Sequence, residues 1–581
     1  MYTQPTKVRF RRRQAIRVTR SEADSASSSV ITDVGERVEP EATDASGRPR
    51  NGVSVLPNAA ERAGKPPELM AEAPGAPAQQ PLWARIPVWA WLAAILALAT
   101  FVRLWQINAL GYNSDEAVYS GQGAAIADDP LSEFFPAFRA HPLLMQTIFS
   151  IGYQIGAGEI FARLVVAALG VATVYVVYRL GDLIYNRKVG LVAALLMAVM
   201  PYHAIVTRQV LLDGPLTLFA TVTLYMLARY ALTERPIWLY ATGAAMGMTF
   251  LAKESGIVLI GSMYAFMALT PEVRFPPRVL ARAAGVMAAF MATFPISLAI
   301  AGATSTGGNF LAWQLFRRPN HDLFFYPTEV TMAIGPLVVI AALFGLWRVR
   351  HHFNWREILL VSWIAVPVVF FEIWAVKGFQ YLLPVAPVVA VLAARGLVSS
   401  PRRPTVSGWR MQRAPLITVA VTAVVALSLL IPTLQRITPS DSGEFLAGSG
   451  GVPGGRETGN WIGENVPEGA RIMTIGPSMA NILQYYGRRQ ANGLSVSPNP
   501  LNRNPVYEPL DNPDELIRNN ELQYVVWDAF SASRSQFFSD RLRRYAERYH
   551  GRVVHDETVP ATTASGEQTT KPIIRVWEVR P

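Results

Sequence analysis

Two adjacent acids, Asp115 and Glu116, lie in the stretch GYNSDEAVYS at 111–120, directly after the first long apolar run of the chain. A carboxylate within hydrogen-bond reach of a hydroxyl group can act as a general base. If the segment is helical, the two side chains point to different faces, because neighbours on a helix do not share one. A plain surface helix capped by Asn113 or Ser114 would explain the same pair. The neighbouring residues therefore decide between these two interpretations.

Further ionisable and polar residues occur near the ends of later apolar runs, in FRAHPLL, TRQVLLDGPL, LAKESG and KGFQYLLP. Ionisable residues at the edge of a bilayer are costly unless paired or hydrated, which makes them functional candidates. Each also has a structural explanation, since Asp213 could pair with Arg208, Lys253 could pair with Glu254, and an arginine could simply snorkel. We predict that one outer face gathers Asp115, Glu116, Arg139, His141, Arg208, Asp213, Lys253, Lys377 and Tyr381.

The composition indicates a membrane protein. Of the 581 residues, 51% are hydrophobic and only 16% are charged, against about 25% charged in soluble proteins. The net charge of +11 is then best explained by basic cytoplasmic loops, so we expect no nucleic-acid partner. The chain has no cysteine, which excludes disulfides, thiolate metal sites and a cysteine nucleophile.

Apolar runs close to the ~20 residues that cross a bilayer recur along most of the chain. We predict about eleven transmembrane helices, at 87–107, 162–184, 189–207, 214–232, 237–252, 255–270, 283–302, 330–347, 357–375, 380–397 and 415–433. The loops on one side are rich in arginine, which places the N-terminus in the cytoplasm. A multi-pass protein of the cytoplasmic (inner) membrane is therefore predicted.

Three parts of the chain are predicted. Residues 1–82 have a composition that cannot bury enough apolar surface to fold, and form a basic, disordered cytoplasmic tail. Residues 83–433 form the transmembrane domain, whose first outer loop, 108–161, carries amphipathic interfacial helices. Residues 434–581 lie outside as a soluble α/β domain, because helices alternate there with strands. The predicted strands are ARIMTIG, LQYVVWDAF and IIRVWEVR.

The motifs listed above resemble those of a known family. NSDEAVY, HPLL, TRQVLLDGPL, LAKESG and KGFQYLLPVAP are similar to motifs of the polyprenyl-phosphate-sugar glycosyltransferases of the GT-C class, family 39. That family contains bacterial relatives of protein O-mannosyltransferases and of lipid A aminoarabinose transferases. The resemblance covers roughly residues 85–400 and implies a polytopic α-helical GT-C fold. One departure is that His141 is followed by a single proline and then Leu143, where the family often has two prolines.

The resemblance implies an enzyme that moves a sugar from a polyprenyl-phosphate carrier to an acceptor hydroxyl outside the membrane, with inversion. It implies that Asp115 is the general base, and we assign Glu116 a supporting role. The leaving phosphate gains charge and needs cations. The candidates for that role are Arg139, His141, Arg208, Lys253 and Lys377, with Arg139 and Lys253 foremost. A divalent metal near Asp115, Glu116 and Asp213 stays open, because no spacing demands one.

The expected partners follow from the same resemblance: a polyprenyl-phosphate sugar donor, membrane lipid, and a glycan, lipid or protein acceptor. A polytopic transporter or flippase of a lipid-linked sugar or other solute is the alternative. Transporters usually place ionisable groups near the middle of the membrane, on broken helices related by internal repeats. Here the charges cluster at one outer edge and no repeat is evident, which favours the enzyme. A membrane-anchored scaffold would need only one span.

Overall fold

The computed structural model of the chain describes residues 86–138, 141–317, 319–351, 353–398, 408–439, 451–562 and 567–581. All of them belong to one compact unit, Gln80–Pro581. The predicted tail at 1–82 lies outside the described residues.

A helical bundle occupies the first part of the described chain, and each predicted apolar run coincides with one or two of its helices. The bounds are α1 Val88–Leu104, α2 Ser114–Ile126, α3 Leu144–Gln154, α4 Gly158–Ile184, α5 Arg187–Val199, α6 Pro201–Val206, α7 Asp213–Thr233, α8 Pro236–Ala252, α9 Val258–Leu269, α10 Pro277–Ile300, α11 Thr304–Phe316, α12 Thr331–Ile334, α13 Pro336–Val349, α14 Trp355–Ile373, α15 Ala386–Val398 and α16 Gly408–Ile437.

Within the described ranges, five helical segments are long and apolar enough to cross a membrane. They are Gly158–Ile184, Asp213–Thr233, Pro277–Ile300, Phe379–Val398 and Leu416–Ile437.

A sixth would be Tyr326–Ile334 with Pro336–Val349, which are bent by 94°. The bend falls at Gly335, whose φ of 101° lies in a region that glycine adopts without a steric penalty. The other apolar helices are shorter or interrupted, as α5 and α6 are at Pro201. The number of about eleven spans therefore stays a prediction, whereas the polytopic helical architecture is observed.

The N-terminus of α2 is fixed by a capping box. The Asn113 side chain accepts a hydrogen bond from the Glu116 backbone N–H at 3.0 Å, and Glu116 Oε2 accepts one from the Asn113 backbone N–H at 3.1 Å. This reciprocal pair satisfies two backbone donors that a helix start leaves free. Asp115 therefore lies in the first turn of α2, and its side chain projects from a different side of the helix than that of Glu116.

The last part of the chain is a five-stranded sheet covered by helices. Its elements are α17 Gly455–Asn465, β1 Arg471–Thr474, α18 Pro477–Gly487, β2 Gln490–Gly493, α19 Pro513–Arg518, β3 Tyr524–Asp528, α20 Ala529–Arg534, α21 Gln536–Arg548, β4 Arg552–Thr562 and β5 Gln568–Glu578. The strand order is β2-β1-β3-β5-β4. Strand β1 pairs in parallel with β2 and β3, while β5 pairs antiparallel with β3 and β4.

Both faces of this sheet carry a hydrophobic core, because alternate residues of a strand point to opposite faces. Ile472 and Val526 pack on one face with residues of α17 and α18. Met473 and Val525 pack on the other face with residues of α19 and α21. Strands β1, β3 and β5 overlap the predicted strands. Strands β2 and β4 were not predicted, since β2 has four residues and β4 is largely exposed and charged.

The α/β part packs directly onto the first outer loop. Tyr485 in α18 shares a hydrogen bond with Tyr153 in α3, with 2.6 Å between the hydroxyl oxygens. The hydroxyl group of Tyr486 donates to Glu159 Oε1 at 2.9 Å and accepts from the Tyr112 backbone N–H at 2.7 Å. The two parts are therefore joined by a specific polar interface. The predicted boundary between residues 433 and 434 falls within α16 and stays a prediction.

Candidate active site

The Asp115 side chain is accessible to solvent and is also surrounded by protein atoms. Its side chain is exposed, but burial among the surrounding protein atoms raises its pKa above the ordinary value of 3.8. Lys253, His141 and Arg534 act in the opposite direction, because nearby cations favour the carboxylate. A recessed carboxylate that a hydroxyl group can still reach has the properties of a general base.

Glu116 is fully buried and is engaged by an arginine. Arg163, also fully buried, donates to both Glu116 carboxylate oxygens at 2.9 Å. The Val210 backbone N–H donates to Glu116 Oε1 at 3.0 Å. Arg163 further donates to the carbonyl oxygens of Ile107, at 2.9 Å, and Leu110, at 2.8 Å. This network ties the segment before α2 to α4 and so positions Asp115.

Lys253 and Asp213 form a second buried pair. The Lys253 ammonium group donates to the two Asp213 carboxylate oxygens at 2.9 and 2.8 Å. Asp213 is the first residue of α7, and Lys253 directly follows α8. The pairs that the sequence suggested, Asp213 with Arg208 and Lys253 with Glu254, are therefore not the ones that form. Lys253 favours the Asp115 carboxylate electrostatically, and Asp115 and Asp213 also interact, so this pair lies within electrostatic range of Asp115.

His141 and Glu254 form a third pair on the same side. His141 Nδ1 lies 2.7 Å from Glu254 Oε2, and His141 Nε2 lies 3.4 Å from the Tyr119 hydroxyl oxygen. The imidazole ring also contacts the ring of Phe310 in α11, with 5.5 Å between centroids. The His141–Glu254 pair thus joins the outer loop to the start of α9.

Tyr381 and Lys377 belong to the segment between α14 and α15. The Lys253 Nζ atom lies 5.2 Å from the centroid of the Tyr381 ring, which packs against Phe371. Lys377 is buried, and its Nζ atom donates to the Glu372 backbone oxygen at 2.5 Å. Its distance of 3.5 Å to Glu372 Oε1 makes a further ion pair. Tyr381 therefore belongs to the Asp115 cluster, whereas Lys377 pairs with Glu372, five residues before it in the chain.

The structure does not bring Arg208 into this cluster. Arg208 is buried and donates to the backbone oxygens of Val102 and Arg103, at the end of α1, at 2.9 and 3.1 Å. A cation near a helix C-terminus stabilises the exposed carbonyl groups there. Arg139 lies outside the described residues, so its assignment stays a prediction.

Three residues of the candidate site were not predicted from the sequence: Arg163, Tyr119 and Arg534. Arg163 stands alone near the start of a long apolar run, and the rule that ionisable residues in such runs are functional candidates could have found it. Tyr119 lies four residues after Asp115 on α2, so helical spacing could have placed it on the same face. Arg534 carried no such signal, because it approaches Asp115 only in the folded chain. Within the part of the chain that the structure describes, no group of three or more His, Asp and Glu side chains is arranged to hold a metal ion.

The sequence comparisons find similarity to glycosyltransferases. The family model described as dolichyl-phosphate-mannose-protein mannosyltransferase matches residues 140–299. An undecaprenyl phosphate-alpha-4-amino-4-deoxy-L-arabinose arabinosyl transferase of Enterobacter sp. (strain 638) is 26% identical over 279 residues, which cover 41% of this chain and 49% of that protein. A second transferase of that description, from Proteus mirabilis (strain HI4320), is 25% identical over 260 residues, covering 42% and 47%. The chain thus spans about half the length of the curated relatives it matches.

The structural comparison extends over more of the chain. The crystal structure of ArnT from Cupriavidus metallidurans bound to undecaprenyl phosphate matches with a TM-score of 0.62 at 16% identity, covering 84% of this chain and 98% of that chain. The oligosaccharyltransferase AglB from Archaeoglobus fulgidus matches with a TM-score of 0.50 at 13% identity, covering 84% and 75%. At this identity the likeness shows the fold. The predicted resemblance to GT-C glycosyltransferases related to protein O-mannosyltransferases and lipid A aminoarabinose transferases is confirmed.

Proposed function

We propose that the chain is a membrane glycosyltransferase that transfers a sugar from a polyprenyl-phosphate carrier to an acceptor hydroxyl, with inversion at the anomeric carbon. The observation that carries the proposal is Asp115. It is an accessible carboxylate with a raised pKa, lying beside the Lys253–Asp213 and His141–Glu254 pairs in a GT-C fold. The relatives named as undecaprenyl-phosphate sugar transferases support the same donor class.

In the proposed reaction one proton is transferred, one bond forms and one bond breaks. Asp115 accepts the proton of the acceptor hydroxyl, and that oxygen forms a bond to the anomeric carbon of the donor sugar. The bond from the anomeric carbon to the phosphate oxygen breaks, and its electron pair leaves with the polyprenyl phosphate. Attack from the face opposite the phosphate inverts the configuration. Asp115 is the catalytic residue in this scheme, whereas Glu116 and Arg163 are positioning residues.

The departing phosphate gains negative charge, which a cation held nearby would stabilise. Lys253 is the described cation that we assign to this role, with His141 beside it. Two of the three ammonium N–H groups of Lys253 bond to Asp213, which leaves one for a phosphate oxygen. Asp213 is thus the group that fixes the direction of the Lys253 ammonium.

Lys253→Gln should lower kcat/KM for the donor by about 10-fold or more, the range for loss of a hydrogen bond to a charged group. Both a higher KM and a lower kcat are expected, because Lys253 would contact the phosphate in the bound donor and as it departs. The measurement is initial rate against donor concentration with the purified variant. Because the substitution also leaves the buried Asp213 carboxylate without its cation, the double variant Asp213→Asn/Lys253→Gln separates the two effects. It should regain stability but not kcat/KM for the donor. Lys571→Gln, an exposed position on β5, is the matched control, and an equal change in kcat/KM there would contradict the assignment.

We propose that the reaction takes place on the outer side of the cytoplasmic membrane. The arginine-rich loops support a cytoplasmic N-terminus, and α2, α3 and the α/β part would then lie together outside. That arrangement places Asp115 where an acceptor can arrive from water and a donor can arrive from the lipid.

The pH dependence of kcat/KM should show an acidic limb governed by Asp115. Because burial raises the pKa of this carboxyl group, the limb should lie above pH 3.8, and activity should fall as the pH drops through it. The charged or titratable groups that interact electrostatically with Asp115 are Lys253, His141, Glu116, Arg534, Asp213 and Tyr119. A rate profile measured from pH 3.5 to 8 tests this, and activity that stays constant down to pH 3.5 would contradict it.

The proposal is tested by a panel of polyprenyl-phosphate sugars presented to the purified protein in detergent, together with an acceptor extract from a bacterial envelope. Free polyprenyl phosphate is the product to measure, because every acceptor generates it. We expect release with one donor of the panel, dependent on the protein and on time. The panel must cover both hexose and pentose donors, since the site residues do not distinguish them.

A further inference from the structure

The α/β part presents one edge of its sheet to the start of α2. In the order β2-β1-β3-β5-β4, the connection that follows β1 leads to β2 on one side, and the connection that follows β3 leads to β4 on the other side. Sheets of this kind bind ligands in the crevice outside the carboxyl ends of the strands, at the point where the strand order reverses. Here that point lies between the ends of β1 and β3.

Contacts place this edge beside Asp115. Asn481 in α18, the helix that follows β1, donates to Ser114 Oγ at 2.9 Å, one residue before Asp115. The helix that follows β3 is α20, and it ends at Arg534. The charges of Arg534 and Asp115 each favour the ionised form of the other, so the two groups lie within range of an electrostatic interaction.

The direction of α20 is fixed from within the sheet. Asp528, the last residue of β3, is fully buried and accepts a hydrogen bond from the Ser531 backbone N–H at 2.6 Å. This cap anchors the first turn of α20. The guanidinium carbon of Arg534 lies 4.2 Å from the centroid of the Phe530 ring, which supports it from one face. Arg534 is therefore held in place by a ring and a capped helix.

Arg534 differs from the cations of the helical bundle. Lys253, His141 and Lys377 are each paired with a carboxylate. Arg534 is exposed, and among the described residues none accepts a hydrogen bond or forms an ion pair with its guanidinium group. Its N–H donors are thus available for a ligand, and their planar fork suits the oxygens of a phosphate or carboxylate group.

We propose that Arg534 binds an anionic group of the acceptor, a phosphate or a carboxylate, and thereby holds the acceptor hydroxyl against Asp115. This inference rests on the proposed function. The acceptor is favoured over the donor because Arg534 belongs to the α/β part, whereas the donor phosphate is attached to a lipid and meets Lys253 and His141 in the bundle. The acceptor class is then an anionic molecule with a free hydroxyl, rather than a neutral one.

The binding test uses inorganic phosphate as the probe, with the protein first saturated with undecaprenyl phosphate to fill the donor site. Line broadening of the free phosphate signal in 31P NMR reports binding. We expect binding to the unaltered protein, an affinity lower by about 10-fold or more in Arg534→Ala, and partial recovery in Arg534→Lys. Arg552→Ala, an exposed arginine on β4 with a side chain 72% accessible, is the control and should bind as the unaltered protein does.

The kinetic test shows whether the anion that Arg534 binds belongs to the acceptor or to the donor. With the donor that the panel identifies, Arg534→Ala should lower transfer to the acceptor extract much more than it lowers hydrolysis of the donor by water. It should lower kcat/KM for transfer to the acceptor extract by about 10-fold or more. The acidic limb should also move to higher pH, because the variant removes a cation that favours the Asp115 carboxylate.

Three results would overturn the inference. One is equal phosphate affinity in the unaltered protein and in Arg534→Ala. The second is binding of inorganic phosphate to the free protein that disappears once undecaprenyl phosphate saturates the donor site. The third is an equal fall in donor hydrolysis and in transfer. Either of these two results would assign Arg534 to the donor. If phosphate binding depends on Arg534 as expected but no donor of the panel reacts, the anion site stands and the proposed function fails.

Discussion

Asp115→Asn should lower turnover of the polyprenyl-phosphate sugar by about 10²–10⁴-fold, the range that general-base catalysis contributes. Asparagine keeps the size and the hydrogen-bonding geometry of the side chain but cannot accept the hydroxyl proton. The KM for the donor should change little, because Asp115 acts on the acceptor. Release of free polyprenyl phosphate by equal amounts of folded protein and variant measures the effect.

The same variant should be at least as stable as the unaltered protein. Burial raises the pKa of Asp115 in the folded state, so its ionisation is less favourable there than in the unfolded chain. The contribution of this group to stability is thus present at pH values below its unfolded pKa and is lost as the pH rises through its folded pKa. Asparagine does not ionise, so we expect an equal or higher melting temperature at pH 7.

The combination distinguishes a catalytic loss from misfolding. A variant with near-normal turnover would contradict the assignment of Asp115 as the base. A variant that is inactive and also melts at a clearly lower temperature would indicate a structural role for Asp115 instead. Lys571→Gln provides the reference for an exposed substitution in the same preparation.

The second large effect concerns stability rather than chemistry. Arg163→Met should destabilise the protein by about 3–5 kcal/mol, the cost of leaving a buried charge without its partner. Both Arg163 and Glu116 are fully buried, and Arg163 also holds the carbonyl groups of the segment before α2. Thermal unfolding in detergent, followed by tryptophan fluorescence, measures the loss, and activity should fall with the folded fraction.

A double variant tests whether the unpaired charge is the cause. Glu116→Gln/Arg163→Met removes the uncompensated carboxylate and should regain part of the lost stability, because an apolar or neutral replacement of a buried pair is far less costly than a broken pair. Arg456→Met is a comparison, since its partner Glu159 is 25% accessible and therefore hydrated; it should cost less. Equal destabilisation by all three variants would contradict the buried-charge explanation.

Much of the site was predictable because the motifs occur at the ends of apolar runs. Asp115, His141, Asp213, Lys253 and Tyr381 were all chosen from that pattern, and the structure brings them together. Length and hydrophobicity suffice to place such residues at a membrane edge.

The pairing of these residues was not predictable. The sequence suggested contacts between residues near in the chain, such as Lys253 with Glu254, whereas the structure pairs Lys253 with Asp213 across two helices. Which partner a charge meets depends on helix packing, and helix packing leaves no local pattern in the sequence. The exclusion of Arg208 from the cluster has the same origin.

The contribution of the α/β part to the candidate site could not be predicted from the sequence either. Strands β1, β3 and β5 are short apolar runs and could be predicted, but β2 and β4 lack such a pattern. The approach of Arg534 to Asp115 joins residues more than 400 positions apart. The docking of α18 onto α2 brings the α/β part to the Asp115 side of the bundle, and the polar residues that make this interface resemble ordinary surface residues.

The most direct measurement uses the purified protein reconstituted in vesicles that contain the reactive polyprenyl-phosphate sugar and the acceptor extract. Free polyprenyl phosphate and transferred sugar are quantified in the same samples over time. We predict that polyprenyl phosphate and transferred sugar rise together, and that both rise about 10²–10⁴-fold more slowly with Asp115→Asn. Movement of the intact sugar lipid or of a solute across the vesicle membrane, with no polyprenyl phosphate released, would contradict the transferase and favour a transporter.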